Sequence, residues 1–231
     1  GGGVVPLLKA LGFVCDTTGE GWSRSFQAGT VELCVDCAGG KFLYEACGIT
    51  VSSATTANFS QAENFVVFEC VCRLLEKGYR PQDIELEPQW KLGHTDKGGR
   101  ADIWIRTKKA KGGGHDSLLI VECKTWGREF DNAWRDTQED GAQLFSYLRQ
   151  EGSTKFLALY ASRLNDTGAV ECTYRLIRSE DNPDYLKTLK KPKTFTDAKT
   201  NKELFAVWRG TYKFEASTRG LFEEDIAPYT P

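Results

Sequence analysis

Apolar and polar positions alternate every second residue through three short runs near the start of the chain: RSFQ (24–27), TVELCVDC (30–37) and KFLYEACGI (41–49). Alternation with glycine punctuation is the signature of half-buried strands, so residues 1–59 are expected to be β-rich. Gly39-Gly40, between the second and third runs, suits a β-hairpin turn. The period then changes. In NFSQAENFVVFECVCRLLEKGY (58–79), Phe65, Phe68, Val71, Cys72 and Leu75 recur at helical spacing and define a buried stripe. Ser60 with Glu63 three residues on has the spacing of a capping box, and Gly78 supplies the stop.

Beyond residue 80 the pattern predicts strands at IELEPQW (84–90), ADIWIR (101–106) and SLLIVECKTW (117–126), then a helical stretch, then strands at KFLALYAS (155–162) and VECTYRLIRS (170–179). Within the helical stretch, DNAWRDTQEDGAQLFSYLRQEG (131–152), the better formed part is expected from Gly141 to Gly152. A helix followed by several strands, a helix and more strands predicts an α/β fold with a central mixed sheet flanked by helices. Residues 1–59 form an N-terminal β-rich extension to a core at 60–180. Residues 181–231 hold a lysine-rich stretch with Lys187, Lys190, Lys191 and Lys193, read as a linker, and a last helix at ELFAVWRGTYKFE (203–215).

Composition narrows the class without naming it. Hydrophobic residues make up 40% and charged residues 27%, which is ordinary for a globular chain. No apolar run approaches the roughly 20 residues of a membrane span, and no signal peptide is visible, so a cytoplasmic protein is expected. The absence of methionine suggests a processed form or a fragment of a longer parent. A formal charge of −2 leaves nucleic-acid binding to local patches. Of eight cysteines, most lie in apolar patterns, as reduced thiols do. Cys34, Cys37 and Cys47 offer a C-x-x-C and a third thiol, but only Cys15 is left as a fourth ligand, which argues against zinc.

The chemistry lies in GGRADIWIRTKKAKGGGHDSLLIVECKTW (98–126). Asp102 opens one apolar strand, and Glu122 and Lys124 close the next on a common face. Folding the pair about Gly112 sets Asp102 opposite Glu122. Two carboxylates and an ammonium in one patch are costly unless a divalent cation neutralises the acids, and oxygen donors suit Mg²⁺. Gln143 and Tyr147 follow, four residues apart on one helix face. A third acid is expected from the opening helix. Glu69 sits at the edge of its stripe, with Arg73 at i+4 as an alternative partner; Glu63 is nearby but has the capping position to fill, so Glu69 is preferred. Lys97, Arg100, Lys108, Lys109, Lys111 and Arg128 flank the motif as a basic rim for DNA phosphates. His94 and His115 fall in glycine-flanked loops and have no assigned role.

This combination resembles the PD-(D/E)XK nuclease superfamily, in the RecB-like branch marked by a Q-x-x-x-Y helix. The run from ENFVVF to KFLALYAS, about residues 60–162, is similar to the N-terminal nuclease domain of type I restriction enzyme motor subunits and of single-chain restriction-modification enzymes. The resemblance implies a restriction-endonuclease-like core in which Asp102, Glu122 and the Cys123 carbonyl hold Mg²⁺, with Mn²⁺ as a substitute. It makes Lys124 the catalytic lysine, Glu69 the helix-one acid, and Gln143 with Tyr147 the accessory motif. Ala101 stands where the motif has proline, which removes no ligand. The implied activity is endonucleolytic hydrolysis of double-stranded DNA in phage defence. Implied partners are a translocase or methyltransferase with a specificity unit, and a transient dimer on DNA. Other readings are a repair or recombination nuclease of the same superfamily and a DNA-binding or scaffold module without turnover.

Overall fold

The structure is a computed structural model that describes residues 3–89, 100–108, 114–140, 143–144, 147, 151 and 154–178. The alternating N-terminal runs form an antiparallel sheet, preceded by the short helix α1 (Val5–Ala10). Its strands β1 (Val14–Cys15), β2 (Gly21–Phe26), β3 (Val31–Asp36) and β4 (Lys41–Leu43) lie side by side in chain order. The turn between β3 and β4 falls at Gly39-Gly40 as expected: Gly40 takes φ +62°, and the Gly39 amide donates to the Asp36 carboxylate at 2.8 Å. Every second residue of β3, namely Val31, Leu33 and Val35, is buried.

Helix α2 (Ala62–Glu76) begins one residue later than the capping-box spacing suggests. Gln61 is the N-cap and makes no side-chain cap bond. Ser60 is instead held in a turn, its amide donating to the Asn58 side chain, and the Asn64 side chain fastens the entry by donating to the Thr55 and Asn58 carbonyls. Glu63 is thereby released from the capping role assigned to it. At the other end Gly78, at φ +93°, donates to Leu75 and Tyr79 donates to Leu74, a Schellman termination. The helix is buried well beyond the expected stripe, with Val66, Val67, Cys70 and Leu74 as covered as Phe68 and Val71. The reason is that sheets pack on two sides of it.

The second sheet has six strands: β5 (Thr50–Val51), β6 (Ile84–Leu86), β7 (Ile103–Lys108), β8 (His115–Cys123), β9 (Phe156–Leu164) and β10 (Val170–Arg178). Their order is β10-β9-β8-β7-β6-β5. Pairs β8/β9 and β5/β6 are parallel and the others antiparallel, so the sheet is mixed and the fold is α/β with two sheets. The segment before residue 60 contributes β5 to this sheet.

One hydrophobic cluster runs from Phe13 and Phe42 of the N-terminal region through Phe68 of α2 to Val121 and Tyr160 of the large sheet. A second covers the sheet's other face and joins Trp104, Ile120 and Leu159 to Phe130, Leu144 and Tyr147. With both faces covered, β8 and β9 read as nearly continuous apolar runs. Phe130 belongs to helix α3 (Arg128–Asp140), which starts well before Gly141. Gln143, Leu144 and Tyr147 are also helical, while the lysine-rich stretch and the last helix lie outside the described residues. Among the described residues no helix is long and apolar enough to cross a membrane.

Phe68 ties the two sheets together, stacking on Phe42 with ring centroids 4.3 Å apart and meeting Phe13 at 5.3 Å. Phe68→Ala is expected to lower stability by about 3–5 kcal/mol, read as a drop in the urea midpoint at unchanged slope. A loss under 1 kcal/mol would mean that the two sheets do not share this core.

Candidate active site

Antiparallel pairing of β7 with β8 sets Ile103 opposite Val121, and continuing that register places Asp102 opposite Glu122. The ladder slips by one residue at a bulge between Ile105 and Arg106, so the count from the turn holds only on the Asp102 side. Asp102 is fixed by its backbone and side chain together. Its carbonyl accepts from the Glu87 amide at 3.0 Å, and one carboxylate oxygen accepts from the Cys123 amide at 2.6 Å. The other oxygen has no partner among the described residues.

Glu122, next to last in β8, has both oxygens occupied. The Lys124 ammonium donates to one at 2.5 Å and the Tyr147 hydroxyl to the other at 2.7 Å. That same hydroxyl lies 2.8 Å from the Arg100 carbonyl, so Tyr147 bridges the segments carrying the two acids. Lys124 also lies 3.7 Å from Glu63 at the start of α2. Its backbone continues the β8/β9 ladder, with the amide donating to the Tyr160 carbonyl at 2.9 Å.

Asp102 and Glu122 are 8% and 3% exposed, so three carboxylates, counting the half-buried Glu63, share one ammonium in a desolvated patch. Burial and then the Glu122 charge push the Asp102 carboxyl well above the usual range, against the opposing pull of the Cys123 amide. Burial also raises Glu122, though Lys124 and the Tyr147 hydroxyl hold it back. Burial raises Glu63 likewise, with Lys124 opposing. Burial works against the Lys124 charge, but Glu122, Glu63 and Asp102 outweigh it and the ammonium is raised.

Glu69, preferred as the third acid, is elsewhere. It is 2% exposed and satisfied by Arg73 at 2.6 Å and by the Tyr160 hydroxyl at 2.5 Å, facing β9 instead of the Asp102 patch. Six residues separate Glu63 from Glu69, about 240° around a helix, so one helix face presents only one of them to the site. That angle is a sequence signal, yet it takes the sheet's position to say which acid is chosen. Gln143, one turn before Tyr147, is exposed and makes no hydrogen bond to the patch.

The described members of the basic rim are dispersed. Arg100 is exposed beside the site and donates to the Ser53 hydroxyl at 3.1 Å, and Arg128 is exposed as the first residue of α3. Lys108 pairs with His115 at the far end of the hairpin, about 20 Å along β7 from Asp102 at ~3.3 Å per residue. Lys97, Lys109, Lys111 and His94 lie outside the described residues. All eight cysteines are free thiols, and among the described residues no group of three or more His, Cys, Asp or Glu side chains is arranged as a metal cage.

The donor set still fits a hard divalent cation. Two adjacent buried carboxylates, incompletely neutralised and with one open oxygen, match Mg²⁺, which takes one or two carboxylates and fills its other positions with water and phosphate oxygens. No protein-family model matches the chain, and no curated protein matches its sequence.

Raised carboxyl values carry a sign. Protonated Asp102 is favoured in the folded state, so stability falls as pH rises from the ordinary aspartate value of about 3.9 through the folded value. Asp102→Asn keeps the acceptor for the Cys123 amide and does not titrate. In EDTA it is expected to raise Tm at pH 7–8, by about 2–4 °C for each kcal/mol gained, and to lose the advantage below pH 4. Lys124→Ala, which strips Glu122 of its counter-charge, is expected to lower Tm in EDTA at neutral pH. An Asp102→Asn protein less stable than the parent at neutral pH would contradict this account.

Proposed function

We propose that this chain is a metal-dependent DNA endonuclease domain with a restriction-endonuclease-like core, of the kind used in restriction-modification enzymes. The observation that carries the reading is the convergence of Asp102, Glu122 and Lys124 at one end of adjacent strands, with both acids buried and Tyr147 holding Glu122. The free thiols are in keeping with a cytoplasmic setting.

In this reading Asp102, Glu122 and the Cys123 carbonyl hold Mg²⁺ or Mn²⁺. Such an ion, when bound, would supply Lewis acidity toward the phosphate oxygens and the attacking water. Lys124 adds a fixed positive charge where negative charge develops on the phosphate. Tyr147 orients Glu122, and the Cys123 amide orients Asp102, so that both acids are set before substrate arrives. Glu63 shares the Lys124 charge and is the helix-one acid favoured by geometry. Arg100 and Arg128 contribute phosphate contacts at the rim.

Incubation with supercoiled plasmid at low salt tests the proposal. Nicking or linearisation is expected with Mg²⁺ or Mn²⁺ and none with EDTA; Asp102→Asn and Glu122→Gln should abolish it. Tyr147→Phe is expected to slow cutting about 10–100-fold, as loss of a supporting partner does. Cutting that survives in purified Asp102→Asn protein would overturn the assignment. DNA binding without cutting under any metal would favour a non-catalytic binding module. Cutting confined to linear or branched DNA would favour a repair nuclease.

A further inference from the structure

Parallel pairing of β8 and β9 runs toward the edge where the acids lie, and beyond it β9 continues beside β10 as far as Leu164. Cys123 and Tyr160 form the last β8/β9 pair. Trp126 and Arg163, each three residues beyond it, meet again: the Arg163 guanidinium carbon lies 4.5 Å from the centre of a ring of the Trp126 side chain. Trp126 is half-buried and packs on the second hydrophobic cluster. One side of the indole therefore rests on the protein and another carries the arginine.

The guanidinium is also held within its own plane. Arg163 Nε and Nη2 each lie 3.0 Å from one carboxylate oxygen of Glu171, directly opposite on β10. The second Glu171 oxygen accepts from the Asn165 side chain at 2.8 Å. Arg163 Nη1 has no partner among the described residues, and the side chain is 49% exposed. An arginine laid on an aromatic ring and forked onto a carboxylate has surrendered much of its rotamer freedom beforehand, and its remaining donors point outward in a fixed plane. Lysine offers no such arrangement.

Lys124 stands two residues before Trp126, just past the end of β8, so the arginine stacked on Trp126 lies on the same edge of the sheet as the acids and the lysine. Nothing in the sequence pattern singled out Arg163, because neither its stack nor its carboxylate partner is local to it.

We infer that Arg163, set by Trp126 and Glu171, is a phosphate-binding residue for a non-scissile phosphate of the DNA that occupies the Asp102–Glu122–Lys124 site. This deepens the nuclease reading and rests on it. The arginine contributes affinity and strand placement without reading bases, since phosphate contacts position and do not specify. Glu171 orients the guanidinium while lying close enough to the phosphate to repel it.

That opposition gives the test. In a cleavage-silent Asp102→Asn background, full-length chain is titrated against a fluorescent 30-bp duplex over a series of salt concentrations. Adding Arg163→Ala is expected to weaken binding several-fold and to reduce the salt slope by about 1, one phosphate contact. Arg163→Lys should retain most of the slope with weaker affinity. Adding Glu171→Gln, which keeps a hydrogen-bonding partner for Arg163 but removes the negative charge, should tighten binding. If the arginine served only as a cross-strand brace, Glu171→Gln would leave binding unchanged or weaken it. An unchanged slope in Arg163→Ala, with its Tm close to the parent's, overturns the inference and leaves the nuclease reading intact. Failure of the Asp102→Asn parent to bind DNA at any salt overturns both.

Discussion

Two carboxylates brought out of water within reach of one ammonium set the terms for the rest of this molecule. Desolvation disfavours each charge, and the Glu122 charge disfavours that of Asp102 again, so both acids resist ionisation although Lys124 and Tyr147 pull Glu122 the other way. Lys124 relieves Glu122 directly and Asp102 only at a distance, and Asp102 is held well above the usual carboxylate range. Such a patch persists only when other contacts fix every member. The β7/β8 register supplies one, the Cys123 amide a second, and the Tyr147 hydroxyl a third. A divalent cation would complete the balance that Lys124 begins.

The same constraint explains the placement of α2. Its N-terminal turn brings Glu63 to Lys124, while about one and two-thirds turns later Glu69 locks onto Arg73 and the Tyr160 hydroxyl. Tyr160 thus serves twice: its side chain anchors the helix to β9, and its carbonyl receives the Lys124 amide. Helix and lysine are positioned through one residue. A buried acid so thoroughly satisfied as Glu69 is a brace between helix and sheet, whereas Glu63 is half-buried and shares Lys124 with Glu122.

Much of the sheet could be read from the chain because its signals are local. Alternation marked β2 and β3, uninterrupted apolar runs marked β8 and β9, and counting outward from the glycine-rich turn set Asp102 against Glu122. Helix α3 falls within the expected helical stretch but starts three residues earlier, and its part before Gly141 is easily undervalued because its sequence is overwhelmingly polar, with Phe130, Ala133 and Trp134 as a narrow apolar stripe. The start of α2 was set by Asn58 and Asn64, whose turn competes with a serine cap. The choice between Glu63 and Glu69, and the Trp126–Arg163–Glu171 ladder, depend on which strands lie adjacent, and no local pattern encodes that.

The central claim is that Asp102 and Glu122 together form a divalent-cation site. Crystals of the chain soaked in Mn²⁺ and measured near the manganese absorption edge test it most directly, because anomalous scattering locates the ion without reference to any activity. The account predicts a peak within bonding distance of both carboxylates, lost in Asp102→Asn crystals. A map with no peak there, or with manganese bound only at other acids, would contradict it.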